Sequence, residues 1–236
     1  MYGFSSKLLI TLSAAIAVSS CGQSAPADKT NLAGNSSART PAAKARPTGD
    51  AAIAAAAEPF EKLTETAFTA APAVLDTTIA EVRAAAQGVR GMLATEAAAS
   101  LDSRLAAIEA ARKSDNRADL AIAAVEGYRT LVSSASPDAK VPAAVNLLDY
   151  AGFRYDADLK AKPPRWADMT QAINFAREQW ATISSQVTDS ALRSSMDKAL
   201  TDMADAASRR DAKAGSAAAQ RELALVDDLE KFFSGR

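Results

Sequence analysis

Apolar residues return along this chain at the three- and four-residue steps of a helix. Leu75, Ile79, Val82, Ala86, Val89 and Leu93 form one such seam, the pattern of a helix with one face against neighbours. Trp166, Met169, Ile173, Ala176, Trp180, Ile183 and Val187 form a second. Thr188-Asp189 then supplies a turn and cap, after which Leu192, Met196, Ala199 and Met203 resume the pattern. Val226, Leu229 and Phe233, widened by Leu225 and Phe232, mark a last helix. Between the two long seams lie Leu101, Leu105 and Ile108, a break at Ser114-Asp115-Asn116, and then Ile122, Val125, Tyr128 and Val132. Ser136-Pro137 has the cap-then-proline order of a helix start. No stretch alternates apolar and polar residues as a half-buried strand does. The pattern predicts an all-α fold, an up-and-down helical bundle with short turns between antiparallel neighbours.

The seams also resemble one another. Leu75, Ile79, Val89 and Leu93 match Met169, Ile173, Ile183 and Val187 at an offset of 94. Leu101, Leu105 and Ile108 match Met196, Leu200 and Met203 at 95. Asp115 then pairs with Asp211, and Val125, Tyr128 and Leu131 pair with Leu223, Val226 and Leu229 near 98. Two readings fit: a duplication giving two three-helix units, or Ala-rich heptads that slide into register without common origin. On the first, the halves are 51–135 and 166–236, joined by a connector over 136–165.

That connector has its own character. Residues 146–166 read NLLDYAGFRYDADLKAKPPRW, which brings Tyr150, Phe153, Tyr155 and Trp166 together with Asp149, Arg154, Asp156, Asp158 and Arg165. Aromatics are only 6% of the chain, so this concentration stands out. Gly152 reads as a helix end and Pro163-Pro164 as the approach to the next helix, predicting a long non-helical crossover. Aromatic faces with paired charges suit a small polar ligand, a sugar or a partner's peptide. The same residues suit still better a structural fastening between halves, with Arg–Asp pairs satisfying the polar groups of the crossover.

Upstream of the helices the pattern changes. Gly22 to about Asp50 is rich in Ser, Pro, Gly, Asn and Ala, holds no aromatic residue and shows no apolar period, as expected of a tether. Met1 to Lys7 carries one positive charge, and an apolar run from Leu8 to Val18 follows. That run is too short for a bilayer span, which takes ~20 residues, and suits the core of an export signal. Val18-Ser19-Ser20-Cys21 resembles the bacterial lipobox, an aliphatic and two small residues before a cysteine. The resemblance implies a signal peptide over 1–20, cleavage before Cys21, and a diacylglyceryl group on the Cys21 thiol. It further implies an anchor in the cell envelope. Gly22 stands where Asp often retains such proteins at the inner membrane, which favours the periplasmic face of an outer membrane. The domain beyond is similar to helical-bundle lipoproteins of bacterial envelopes in general and points to no named family.

Charge and residue inventory narrow the chemistry. Formal net charge is −1, so no basic stripe for nucleic acid is expected, and the membrane is reached through the lipid alone. The chain has no histidine and one cysteine. Ser-His-Asp and Cys-His catalysis and His-ligated metals are excluded, and a lipidated Cys21 leaves no thiol chemistry. Ser195-Met196-Asp197-Lys198 fits S-x-x-K but lacks the companion motifs and lies in a helical seam. Asp156/Asp158, Asp202/Asp205 and Asp227/Asp228 are acidic pairs. The first begins like a calcium loop, yet Ala161 and Ala167 stand where Gly and Glu belong. Met169, Met196 and Met203 sit on the seams as packing residues.

No catalytic residue, metal site or cofactor is expected. The expected function is a non-catalytic binding or scaffolding role in the cell envelope. The alternative is a solute- or metal-binding lipoprotein serving a transporter. The candidate contact residues for ligand or partner are Asp149, Tyr150, Phe153, Arg154, Tyr155, Asp156, Asp158, Arg165 and Trp166.

Overall fold

In the computed structural model, residues 49–135 and 140–235 are described. Cys21, the signal segment, the tether as far as residue 48, and Ser136-Pro137 lie outside them. Among the described residues there are eight α-helices and no strand, so the protein is all-α. No described helix is long and apolar enough to cross a membrane.

The first helix, α1 (Gly49–Thr66), buries Ile53, Ala56, Ala57, Phe60, Leu63 and Thr64 along one side. Pro72 sits in the opening turn of α2 (Pro72–Val89), where a missing N–H costs nothing. The expected seam is realised there, with Leu75, Ile79, Val82, Ala86 and Val89 buried. A 3₁₀ turn, Arg90–Met92, tightens its end and leaves Leu93 extended and only partly buried. Next come α3 (Thr95–Lys113) and α4 (Arg117–Val132). The break expected at 114–116 is a capped turn: Asp115 is left-handed with φ 50°, and the Asn116 side chain accepts from Asp119 N–H at 3.1 Å.

One expectation is corrected here. Residues 146–160 are not a loop; they belong to α5 (Ala143–Lys160), which begins after Pro142 and runs straight through Gly152. Gly152 is buried in mid-helix because α8 passes close by. A Cβ there would meet Glu222 Oε2 at 2.1 Å and Leu223 Cδ2 at 2.7 Å. The glycine marks a close approach, not a terminus. No single apolar stripe advertises α5 because it packs on α4, α6 and α8 at once and is buried on most sides.

The rest follows the pattern. Pro163 and Pro164 precede α6 (Trp166–Ile183), and a 3₁₀ turn, Ser184–Gln186, closes it. Asp189 caps α7 (Ser190–Arg209), accepting from Ala191 and Leu192 N–H at 2.9 and 3.0 Å. Asp211 caps α8 (Ala212–Ser234).

These helices form a structural repeat of four, not three, with α5 as the counterpart of α1. Gly49 and Thr66 bound α1 as Ala143 and Lys160 bound α5, an offset of 94, and Pro72 and Trp166 open α2 and α6 at the same offset. The 3₁₀ turns also match at 94. At the next turn the offset becomes 95. Asp115 at φ 50° matches Arg210 at φ 52°. Asn116 N–H reaches Ala111 O at 2.9 Å, as Asp211 N–H reaches Ala206 O at 2.9 Å, the same helix-closing motif twice.

The last helix of each repeat keeps this offset of 95, which corrects the expected 98. Buried Leu120, Ala123, Ala124, Gly127 and Leu131 in α4 match buried Gly215, Ala218, Ala219, Glu222 and Val226 in α8. Sliding by three residues aligned the larger apolar side chains. The small ones mark the true register, because helices meet there.

In each repeat the first helix packs on the second and fourth, and the third on the fourth. The repeats join where α4 packs on α5. The joint therefore brings charged residues of α4 against those of α5.

Candidate functional site

Along α5, Tyr150, Arg154 and Asp158 lie at i, i+4 and i+8, so they stack on one line of the helix. Glu126 on α4 faces this line. Tyr150 donates its hydroxyl to Glu126 Oε1 at 2.7 Å, and Arg154 Nη1 donates to the same oxygen at 2.5 Å. Arg154 Nε donates to Asp158 Oδ2 at 2.8 Å. Two looser charges complete the group: Arg104 Nη2 of α3 lies 3.9 Å from Glu126 Oε2, and Asp168 Oδ2 of α6 lies 3.7 Å from Arg154 Nη2.

Burial gives this network its weight. The Asp158 side chain is 0% exposed, Glu126 12% and Arg154 20%. Ion pairs at such depth are screened little by solvent, and removing one partner strands the other. Burial pushes the Asp158 carboxyl above its ordinary value, opposed by the charge and hydrogen bond of Arg154. Asp158 Oδ1 is buried with no hydrogen-bond partner, so among the described residues Arg154 supplies the hydrogen bond that holds this side chain, with the charge of Arg165 acting in the same sense. Burial, followed by the Glu126 charge, pushes the Tyr150 phenol up to about 12. It remains a neutral donor across physiological pH. Burial works against the Arg154 guanidinium, yet Asp158 and Glu126 together raise its pKa.

The network forms one wall of a cleft of about 310 Å³ between α4, α5 and α6. Arg129, one turn beyond Glu126, lies over the rings of Tyr150 and Phe175, 5.1 and 4.7 Å from their centroids. The two rings meet edge to face at 5.3 Å, fixing the platform. From α6 come Asp168, Gln171, Ala172 and Phe175. A cleft of this size is at the lower bound for small-molecule sites. Its lining combines an aromatic floor with donors and acceptors of both signs.

The nine candidate residues of the sequence fall into different places. Tyr150 and Arg154 line the cleft, and Asp158 supports it from behind. Asp149 is turned elsewhere, accepting from Tyr128 at 3.4 Å in a buried position. Tyr155 is fully buried and donates to Met203 O at 3.1 Å, a fastening onto α7. Phe153 and Trp166 pack partly buried against the core. Asp156 pairs with Lys160 and Arg165 with Asp119, both toward solvent. Glu126, Arg129, Asp168, Gln171 and Phe175 were not singled out by the sequence pattern. For the three on α6 the one sequence signal is a polar-aromatic line at 168, 171 and 175, opposite the apolar seam of that helix; Glu126 and Arg129 on α4 carry none.

Among the described residues no group of three or more acidic or sulfur ligands could hold a metal ion. Asp202 is held by Lys198 and Arg221, and Asp228 by Lys231. Lys198 of the S-x-x-K match is thus engaged in a surface pair, and Met196 is core. A second hollow, of about 430 Å³ between α2 and α3, is bordered by exposed pairs that satisfy each other, Arg83–Glu109 and Arg112–Asp76.

Compared with known proteins, the chain matches no family model, no curated protein and no solved structure. Any functional reading therefore rests on the cleft and the sequence.

Proposed function

We propose that this chain is a non-catalytic binding protein of the bacterial cell envelope, anchored by lipid on Cys21. Its ligand contacts are Arg129, Tyr150, Arg154, Asp168, Gln171 and Phe175. The observation that carries this reading is the cleft at the repeat junction. A buried charge network there is costly to build, yet it opens onto a cavity rather than being sealed into the core. Perturbed ionisable groups lining a cleft are a recurring mark of sites. The lipobox-like Val18-Ser19-Ser20-Cys21 supports the anchor. Delivery of a captured solute to a transporter is the second reading, favoured by a cavity suited to a small molecule rather than to a protein surface.

Thermal unfolding of the full-length chain against a panel of sugars, amino acids, peptides, organic acids and divalent metals tests the binding role. A ligand present at a hundred times its Kd adds ~2.7 kcal/mol of stability. Protection by a ligand, lost in Tyr150→Phe or Arg129→Gln, is the expected result. Absence of protection by the whole panel contradicts it. The anchor is tested separately: Cys21→Ser is expected to abolish lipid labelling and to release the protein from membranes. A labelled, membrane-bound mutant would sink that part.

A further inference from the structure

The cleft has two poles. At one end, Arg129 is held between the faces of Tyr150 and Phe175. Its hydrogen bond to the Tyr150 hydroxyl is long, 3.5 Å from Nη1, so most of its five N–H donors are uncommitted. Among the described residues no carboxylate pairs with it. A half-buried guanidinium stacked on rings is weakly hydrated and already oriented, the state in which it best receives a planar carboxylate.

At the other end stands Asp168. Its contact with Arg154 is loose, at 3.7 Å, and its side chain is 38% exposed. Arg154 is drawn away by closer bonds to Glu126 and Asp158. Asp168 thus keeps its accepting capacity for a group in the cleft. Gln171 lies between the poles with an amide that both donates and accepts.

Asp168 and Phe175 share one face of α6, seven residues apart, a rise of ~10 Å. The Arg129 guanidinium lies 4.7 Å from the Phe175 ring centroid, which puts the poles ~10–15 Å apart. Allowing ~3 Å for a charged hydrogen bond at each end, a bridging ligand needs opposite charges ~4–9 Å apart. A lone anion entering here meets the carboxylates of Glu126 and Asp168. A lone cation meets Arg129 and Arg154. The four charged lining groups sum to zero, two acidic and two basic.

We infer that the cleft takes a compact zwitterion, with its carboxylate on Arg129 and its ammonium on Asp168. An extended dipeptide with free ends spans ~7 Å and fits this spacing. A single α-amino acid is too short to reach both poles. The inference rests on the binding reading above and adds the class of ligand.

The test is calorimetric titration of the full-length chain with four probes. Alanylalanine carries both charges, its N-acetyl form lacks the ammonium, its amide lacks the carboxylate, and alanine has its charges too close together. Alanylalanine is expected to bind one to one, and each of the others at least ~10-fold more weakly, since each loses a charge-assisted contact. Arg129→Gln is expected to erase the preference over the amide while keeping that over the acetyl form. Asp168→Asn is expected to do the reverse. Equal binding of the free and acetylated dipeptides overturns the inference, and so does failure of alanylalanine to bind. The probe series on the unmutated chain needs no variant, so a variant that misfolds does not shield the inference. If another panel compound protects the chain through Arg129 while alanylalanine does not bind, the inference fails and the binding reading stands. If nothing in the panel protects, both fail.

Discussion

On the same line of their helices, α1 carries Ala56, Phe60 and Thr64 where α5 carries Tyr150, Arg154 and Asp158. In the first repeat, the fully buried Phe60 ring lies so close to Gly127 of α4 that a Cβ there would meet Phe60 Cε1 at 2.3 Å. Thr64 satisfies itself locally, donating to Phe60 O at 2.9 Å. At the position matching Gly127, the second repeat has Glu222, also fully buried, with no hydrogen-bond partner for either carboxyl oxygen. Among the described residues the three most deeply buried carboxyl groups, Asp149, Asp158 and Glu222, lie in the second repeat. One backbone thus supports two economies. The first repeat is packed for stability by shape, and the second places charge where shape alone would have sufficed. The cleft lies against the second.

The largest effects should separate the two at the matched positions. Phe60→Ala is expected to cost ~3–5 kcal/mol, as large-to-small changes in a tight core do, with little dependence on pH. Arg154→Met is expected to cost a similar ~3–5 kcal/mol at neutral pH, because Asp158 is left charged and buried. Here the sign of the pH effect is diagnostic. An unpaired Asp158 has a folded pKa above its unfolded ~4, so stability is highest below that value and is lost as pH rises. The Arg154→Met deficit should therefore shrink on approach to pH 4, measured by chemical unfolding across pH. A deficit independent of pH would mean Arg154 acts by packing.

Gly127→Ala is next. Its Cβ has nowhere to go unless the Phe60 ring moves, and overpacking of this kind costs ~1–3 kcal/mol. Gly152→Ala meets the ends of the Glu222 and Leu223 side chains, which can shift, and should cost less. Equal costs would remove the distinction between a ring-packed and a charge-bearing junction.

Glu222 predicts a slope more than a magnitude. Burial, then the nearby Asp149, pushes its carboxyl well above the ordinary value. Its contribution is full below pH ~4.5 and declines as pH rises toward the folded pKa, by at most ~1.4 kcal/mol per unit. Glu222→Gln should flatten the fall of stability as pH rises above ~4.5. An unchanged slope assigns that fall to another group.

The smallest prediction concerns what the repeats share. Asn116→Ala and Asp211→Ala remove matched helix caps and should each cost ~1 kcal/mol. Unequal losses would show that the matched turns bear unequal load.

Much of this architecture was legible in the chain. The seams of α2 and α6 stand out because each helix buries one face, and the Asp189 cap is local chemistry that needs no tertiary information. Two helices were harder to see. A third of the buried face of α1 is alanine, and Pro59 interrupts it, so no strong period marks it. The face of α5 is shared among three neighbours, and Gly152 mimics a stop. The site was legible only on its α5 side. Tyr150 and Arg154 stood out in an aromatic-poor chain, but so did Tyr155 and Asp149, which serve packing. Arg129, Asp168 and Phe175 are ordinary residues on ordinary helices, made a site only by the junction of two repeats.

The central claim is that the junction cleft, and not its counterpart surface in the first repeat, receives the ligand. Chemical-shift mapping of the full-length chain during alanylalanine titration tests this most directly. The account predicts shifts concentrated at Arg129, Tyr150, Asp168, Gln171 and Phe175, with the matched Ala56, Val74, Thr77 and Glu81 unmoved. Shifts at those four matched residues, or none at the cleft, would contradict it.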